Sequence, residues 1–152
     1  MTNSQKFFLF LLRVSAGWMF FYAGITKVLN PQWSAEGYLK GAKAFTWFFQ
    51  MLLDPSVLPI VNFINKWGLT LLGISLILGL FVRFSSLLGV LLMALYYIPL
   101  GFPYPNPNSY IVDQHIIYIA VLLFFAAISA GRVFGLDGKR VHHHSGLRRW
   151  LG

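Results

Sequence analysis

A polar pair, Asp113 and His115, opens the last apolar block of the chain. An imidazole exchanges a proton near neutral pH, and a carboxylate two residues away can share that chemistry. Tyr118 follows within one helical turn, while Tyr96 and Tyr97 end the preceding apolar block. The pattern predicts an aromatic-walled pocket with a proton-exchanging pair. The alternative is an interfacial aromatic belt with a structural histidine.

Two basic residues and two glycines share one face of the first apolar block. Arg13, Gly17, Gly24 and Lys27 follow one another at spacings that keep them on one side of a helix. Small residues allow close helix approach, so this stripe is predicted to face other helices. Arg13 is either a functional charge in the membrane or a side chain that snorkels to the lipid headgroups.

Two lysines are predicted to lie near Asp113, on the same side of the membrane. Lys27 ends the first apolar block and Lys66 lies near the beginning of the second. An ion pair of Asp113 with either lysine would offset the cost of removing the carboxylate from water. We therefore expect these charges to converge on the pocket.

The elements that must position these residues are membrane helices. Of the 152 residues, 57% are hydrophobic and only 11% are charged, which excludes a soluble globular domain, a disordered chain and a nucleic-acid-binding module. Four apolar blocks are each near the length of a membrane span. They cover about Phe7–Leu29, Leu58–Val82, Phe84–Leu100 and Tyr110–Gly131.

The predicted fold is an all-α, integral membrane four-helix bundle. Eight basic residues lie on the side of the two termini and four on the other side, which predicts that both termini are cytoplasmic. The second and third spans form a tight hairpin. Residues 32–57 predict an amphipathic helix on the outer face, with Ser34 as its N-cap. Residues 1–137 form the membrane domain and 138–152 a basic cytoplasmic tail.

Several cofactor sites lack their ligands in this sequence. The chain has no cysteine, so it cannot form a disulfide or ligate an iron–sulfur cluster. His115 is the one histidine within a span, and the run His142 to His144 is more typical of a solvated tail than of a metal site. We expect no intrinsic metal, haem or flavin, no catalytic metal ligands and no nucleic-acid partner.

The order of these motifs resembles the DoxX family. The first span has the R-x3-G-x6-G-x2-K pattern of Arg13 to Lys27, and the glycine-rich hairpin from Gly68 to Arg83 follows it. The last span, with Asp113-Gln-His115 and then the segment 130–137, is most similar to the DoxD-like branch. That branch includes the small membrane subunit of thiosulfate:quinone oxidoreductases. Here Asn65-Lys66 stands where members often carry an acidic residue.

The resemblance implies a membrane subunit of a quinone-linked oxidoreductase in a prokaryotic cytoplasmic membrane. Quinone is then the expected cofactor, His115 and Asp113 the proton-exchanging catalytic pair, and electrons come from a partner. The quinone-binding residues would be Arg13, Lys27, Lys66, Tyr96, Tyr97 and Tyr118. The alternative is a non-enzymatic scaffold subunit that binds a partner protein through its helix faces or its outer amphipathic segment. The expected partners are membrane lipid and either a partner subunit or further copies of the chain in a homo-oligomer. A small-solute transporter is less favoured.

Overall fold

The computed structural model describes residues 1–101 and 109–141, and the regular secondary structure of this part is helical, with no strand. Residues 102–108 of the proline-rich connection and residues 142–152 of the predicted tail, including His142 to His144, lie outside the described residues. The seven α-helices are α1 Asn3–Val28, α2 Glu36–Lys40, α3 Thr46–Met51, α4 Leu58–Leu78, α5 Val82–Tyr97, α6 Gln114–Ala127 and α7 Leu136–Val141. Two 3₁₀ turns cover Ile98–Leu100 and Ala130–Arg132.

Three helices of the described chain are long and apolar enough to cross a membrane. They are α1 with 26 residues, α4 with 21, and α5 continued by its 3₁₀ turn with 19. About 20 residues in a helix cover the hydrocarbon core of a bilayer. The first three predicted spans are therefore confirmed as helices of sufficient length.

The predicted fourth span is shorter than expected. In place of about 22 residues, α6 has 14, which correspond to roughly 21 Å of helix. Asp113 caps its first turn, and beyond Ala127 the chain turns at Ser129, where φ is 50°. The run of apolar residues continues beyond Ala127, but the left-handed backbone at Ser129 prevents the helix from continuing. By length, α6 falls short of a full membrane span.

Glycines allow α1 and α4 to pack in direct backbone contact. Gly17, Gly24 and Gly73 lie in the shared interface and are all buried. A Cβ on Gly17 would lie 2.9 Å from the backbone nitrogen of Ile77, and a Cβ on Gly24 would overlap Thr70. Because higher numbers on α1 meet lower numbers on α4, the two helices are antiparallel. The prediction that the glycine stripe of α1 faces another helix is confirmed.

The hairpin between α4 and α5 turns within three residues. Gly79 ends α4 in the left-handed conformation with φ 65°, and Ser75 and Ser85 approach each other to 2.6 Å between their hydroxyl oxygens. The tight predicted hairpin is thus confirmed. We call the end of the molecule around residues 79–83 and 129–137 the proximal end. The opposite end, around residues 28–57 and 97–115, is the distal end.

The distal end is covered by two short helices instead of the single amphipathic helix that was predicted. The chain breaks between α2 and α3, and Phe45 adopts a left-handed conformation with φ 49°. Leu39 and Phe49 are buried together with Ala35, while Phe45 points outward and is 60% exposed. The apolar residues thus fold onto the ends of the long helices, and the predicted helical register fails at Phe45.

Candidate functional site

A cavity of about 650 Å³ lies towards the distal end, between α1, α4, α5 and α6 and beneath α2 and α3. Its walls are mainly apolar, and Phe20, Leu69 and Met93 belong to the buried core. The size and character are those of a site for a small organic ligand. The polar side chains that line it are Lys27, Ser34, Tyr38, Asn65, Tyr96, Gln114, His115 and Tyr118.

Asp113 positions His115 at this cavity. The Asp113 carboxylate, 8% exposed, is the N-cap of α6 and accepts from the backbone N–H groups of His115 at 2.9 Å and Ile116 at 3.2 Å. Its second oxygen lies 2.5 Å from Nδ1 of the His115 ring. The helix start therefore fixes the carboxylate, and the carboxylate fixes the imidazole. His115 Nε2 has no hydrogen-bond partner among the described residues.

Tyr96 forms an aromatic wall against this imidazole. The rings of Tyr96 and His115 are stacked, with centroids 5.8 Å apart and planes inclined by 14°. The Tyr96 hydroxyl donates to Oδ1 of Asn65 on α4, and the Tyr38 hydroxyl donates to the backbone oxygen of Tyr96. Bonds from α2 and α4 therefore hold the tyrosine whose ring orients His115. On the other side, the Tyr118 ring packs edge-on against Phe20.

The structure brings together part of the predicted site. Lys27, Tyr96, His115 and Tyr118 line the cavity, and Asp113 reaches it through His115.

Tyr97 and Lys66 do not line the cavity. The Tyr97 hydroxyl donates to the backbone oxygen of Ile111 at 2.7 Å, which ties the end of α5 to the segment before α6. The Lys66 ammonium lies 5.6 Å from the centroid of the Trp33 ring. The ion pair expected between Asp113 and Lys27 or Lys66 is not formed, because local capping and His115 occupy the carboxylate.

Arg13 does not lie at the distal cavity but at the proximal end, and it does not snorkel. Its side chain is completely buried. Nη1 donates to the backbone oxygens of Ala130 at 2.6 Å and Val133 at 2.9 Å, and Nη2 donates to that of Phe134 at 3.2 Å. Three carbonyls thus replace part of the water that the guanidinium has lost, while Nε has no partner among the described residues. This geometry supports a structural role and separates Arg13 from the predicted quinone site.

Asp137 completes the proximal end and was missed as a functional residue from the sequence. Its carboxylate, 3% exposed, accepts from the backbone N–H groups of Phe81 at 2.8 Å and Val82 at 3.1 Å, so it caps the first turn of α5 from a distant part of the chain. It also attracts Arg13 electrostatically. The scarcity of acidic residues, four in the whole chain, was the signal that could have drawn attention to it.

Three residues of the distal end contribute to the site but were not predicted as site residues. Asn65 was noted for replacing an acidic residue, yet it serves as the acceptor for Tyr96. Trp33 and Tyr38 were not among the predicted site residues, yet both line the cavity. Their roles depend on how α2 folds back, which the sequence pattern did not specify.

The DoxX family model matches residues 8–99, which is more than half of the chain. The chain belongs to the DoxX family. No curated protein and no solved structure matches it. DoxX proteins are small membrane proteins that are often associated with quinone-linked oxidoreductases. Together with the three apolar helices, membership identifies this DoxX protein as an integral membrane protein. The match ends before α6, so it does not distinguish the DoxD-like branch.

Proposed function

We propose that this DoxX protein is the quinone-binding membrane subunit of a quinone-linked oxidoreductase. The observation that carries the proposal is the Asp113–His115 pair beside an apolar cavity. One imidazole nitrogen is held by the carboxylate, and the other has no partner among the described residues. A quinone has a flat ring with two carbonyl acceptors and an apolar tail. The aromatic walls and the cavity of about 650 Å³ suit both parts.

Different side chains at the cavity would bind the quinone ring and exchange protons with it. A bound quinone supplies the redox chemistry by taking up two electrons and two protons. Asp113 holds His115 through Nδ1, so Nε2 is the atom that exchanges a proton with a ligand oxygen. The Tyr118 hydroxyl, which has no hydrogen-bond partner among the described residues, is a second donor. Tyr96 supplies the flat wall against which the ring lies.

The proposal includes the four-helix topology. Although α6 is short, Ile117, Leu123 and Phe124 on it are exposed, and large apolar side chains on a helix surface are suited to lipid. We propose that α6 completes a transmembrane bundle with both termini on the cytoplasmic side of a prokaryotic membrane. The electron donor would be a partner subunit, as in the DoxD-like branch, since the sequence contains no cysteine and no evident redox centre.

A titration with decylubiquinone tests the proposal. The purified protein, His115→Phe and the exposed distal control Lys43→Ala are compared in neutral detergent, with protein-free micelles subtracted. We expect saturable binding that weakens about tenfold in His115→Phe, because the hydrogen bond between the imidazole and the quinone oxygen is lost. Lys43→Ala should bind like the wild type. Absence of saturable binding, or equal affinity in His115→Phe and the wild type, would reject the proposal.

The scaffold alternative requires a helix face or the outer amphipathic segment as the surface for a partner. The sequence contains three small-residue pairs, for which helix packing within the chain is the favoured interpretation: Ser75/Gly79, Ser85/Gly89 and Ala127/Gly131. In the structure Ser75 meets Ser85, and Gly79 packs against Gly135. Gly89 is covered by leucines of α4 and α6, and Gly131 lies against Asp137. The chain itself occupies these small faces, so they do not support docking of another protein.

A further inference from the structure

The four acidic side chains are all described, and each has a partner. Glu36 pairs with Lys40 at 2.6 Å, and Asp54 accepts from Ser56. The other two engage His115 and the first N–H groups of α5, as described above. No acidic side chain therefore remains to neutralise the other lysines at the distal end.

Two of those lysines converge on one aromatic ring. The ammonium groups of Lys27 and Lys66 each lie 5.6 Å from the centroid of the Trp33 ring. Both lysines are half-buried. Lys27 donates one hydrogen bond, to the backbone oxygen of Ala23 at 2.7 Å, and the Lys66 ammonium has no hydrogen-bond partner in the described part of the chain. Most of their N–H donors are therefore available.

This arrangement lacks a negative charge. Two like charges near one ring repel each other, and each has given up part of its hydration. Contact with the indole face offsets only a fraction of that cost. A group with several anionic oxygens beside this ring would bring negative charge near both ammonium groups and balance their charge.

We propose that Lys27, Lys66 and Trp33 form a binding site for a phosphate-type oxyanion, which we call the anion site. Lys27 and Trp33 line the cavity and Lys66 does not, so the site lies at the cavity margin. An oxyanion bound there is in a position to carry an apolar chain that enters the cavity, as the phosphate of a lipid does. The anion site goes beyond the proposed quinone function and stands whether or not quinone binds near His115.

Equilibrium binding of two probes tests the anion site and identifies the source of the oxyanion. Dodecyl phosphate carries an apolar chain, whereas inorganic phosphate does not. Each is titrated against the full-length protein in neutral-detergent micelles, with protein-free micelles as the blank. The variants are Lys27→Gln/Lys66→Gln and the charge-preserving Lys27→Arg/Lys66→Arg. Lys43→Gln is the control, because it removes an exposed distal charge outside the site.

We expect saturable binding of dodecyl phosphate that weakens about tenfold or more in the double Gln variant and less than about twofold in the other two variants. Weaker binding of inorganic phosphate would identify a lipid-borne group, and equal binding a free oxyanion. No saturable binding of either probe, or equal losses in Lys43→Gln, would overturn the proposal. If the double Gln variant fails to fold, Lys66→Gln alone should weaken binding about threefold, and unchanged affinity there would also overturn it.

The decylubiquinone titration separates this proposal from the proposed function. In the His115→Phe background, Lys27→Gln/Lys66→Gln should still weaken dodecyl phosphate binding about tenfold, because His115 lines the cavity but is not part of the anion site. If the wild-type protein binds dodecyl phosphate saturably but does not bind decylubiquinone, only the quinone proposal is rejected. The converse result would reject only the anion site.

Discussion

Nη1 of Arg13 donates a hydrogen bond to the backbone oxygen of Ala130 at 2.6 Å, across 117 residues of sequence. The bond joins the first helix to the turn that follows α6. Three residues with left-handed backbone, Phe81, Ser129 and Phe134, lie in the segments that Arg13 and Asp137 hold. Such conformations are unfavourable for residues other than glycine, so the two buried charges stabilise a strained proximal end.

Removal of Arg13 should destabilise the protein severely. Arg13→Ala leaves three carbonyls without their donor and Asp137 without the nearby positive charge, and we expect a loss of about 3–5 kcal/mol in the free energy of unfolding. Unfolding by SDS in mixed micelles measures this change. Lys43→Ala, an exposed lysine at the distal end, is the control and should change stability by less than about 0.5 kcal/mol. A value for Arg13→Ala close to that control would contradict the structural role.

Two glycines of α4 and α1 should differ sharply in their tolerance of a methyl group. A Cβ on Gly24 overlaps the backbone of Thr70, whereas a Cβ on Gly68 meets nothing closer than a Leu92 methyl at 3.8 Å. We expect Gly24→Ala to cost about 2 kcal/mol or more, since the helices must separate. Gly68→Ala should be neutral or stabilising by up to about 1 kcal/mol. Thermal unfolding followed by tryptophan fluorescence compares them, and equal transition temperatures would refute the packing argument.

Substitution of Asp113 should separate capping from orientation of the imidazole. Asparagine caps a helix about as well as aspartate, so Asp113→Asn should retain wild-type stability, whereas Asp113→Ala should lose about 1 kcal/mol. The amide cannot reproduce both acceptor oxygens, so we expect the proton of His115 to move from Nδ1 to Nε2. Nitrogen-15 NMR of labelled histidine detects this change of tautomer. An unchanged spectrum in Asp113→Asn would show that the carboxylate does not set the ring proton.

The bond between Tyr96 and Asn65 should appear as a coupling energy. Tyr96→Phe and Asn65→Leu each remove one partner, and the double variant removes both. We expect a coupling of about 0.5–1.5 kcal/mol, the range for polar contacts between membrane helices. SDS unfolding of the four proteins supplies the cycle. Strictly additive losses would mean that this bond contributes nothing to the position of the Tyr96 ring.

Hydropathy and small-residue spacing predicted most of the helix framework. The first three spans, the buried glycine stripe of α1 and the hairpin at Gly79 follow from local patterns, because apolar length and close helix approach are encoded by neighbouring residues. The short length of α6 could not be predicted in this way. Its end depends on the left-handed backbone at Ser129, which hydropathy does not detect.

The polar residues were harder to place than the apolar ones. Arg13 was recognised as costly in a membrane, but its acceptors are backbone oxygens, and these have no sequence signature. Asp113 was expected to pair with a distant lysine. Instead, its carboxylate oxygens contact the nearby backbone N–H groups and the His115 ring. The Asp113–His115 pair itself was predictable, since its partners are two residues apart. Long-range partners of single charges were not.

The position of the Arg13 acceptors has a consequence for biosynthesis. The carbonyls lie 117 to 121 residues further along the chain than the guanidinium they bind. At ordinary rates of synthesis, roughly ten seconds pass between the translation of the two segments. During that interval the first helix carries a charge that its final acceptors cannot yet satisfy. The segment 130–134, which is synthesised after all the long helices, therefore completes the buried contacts of the first helix, and chains truncated before residue 130 should be substrates for membrane quality control.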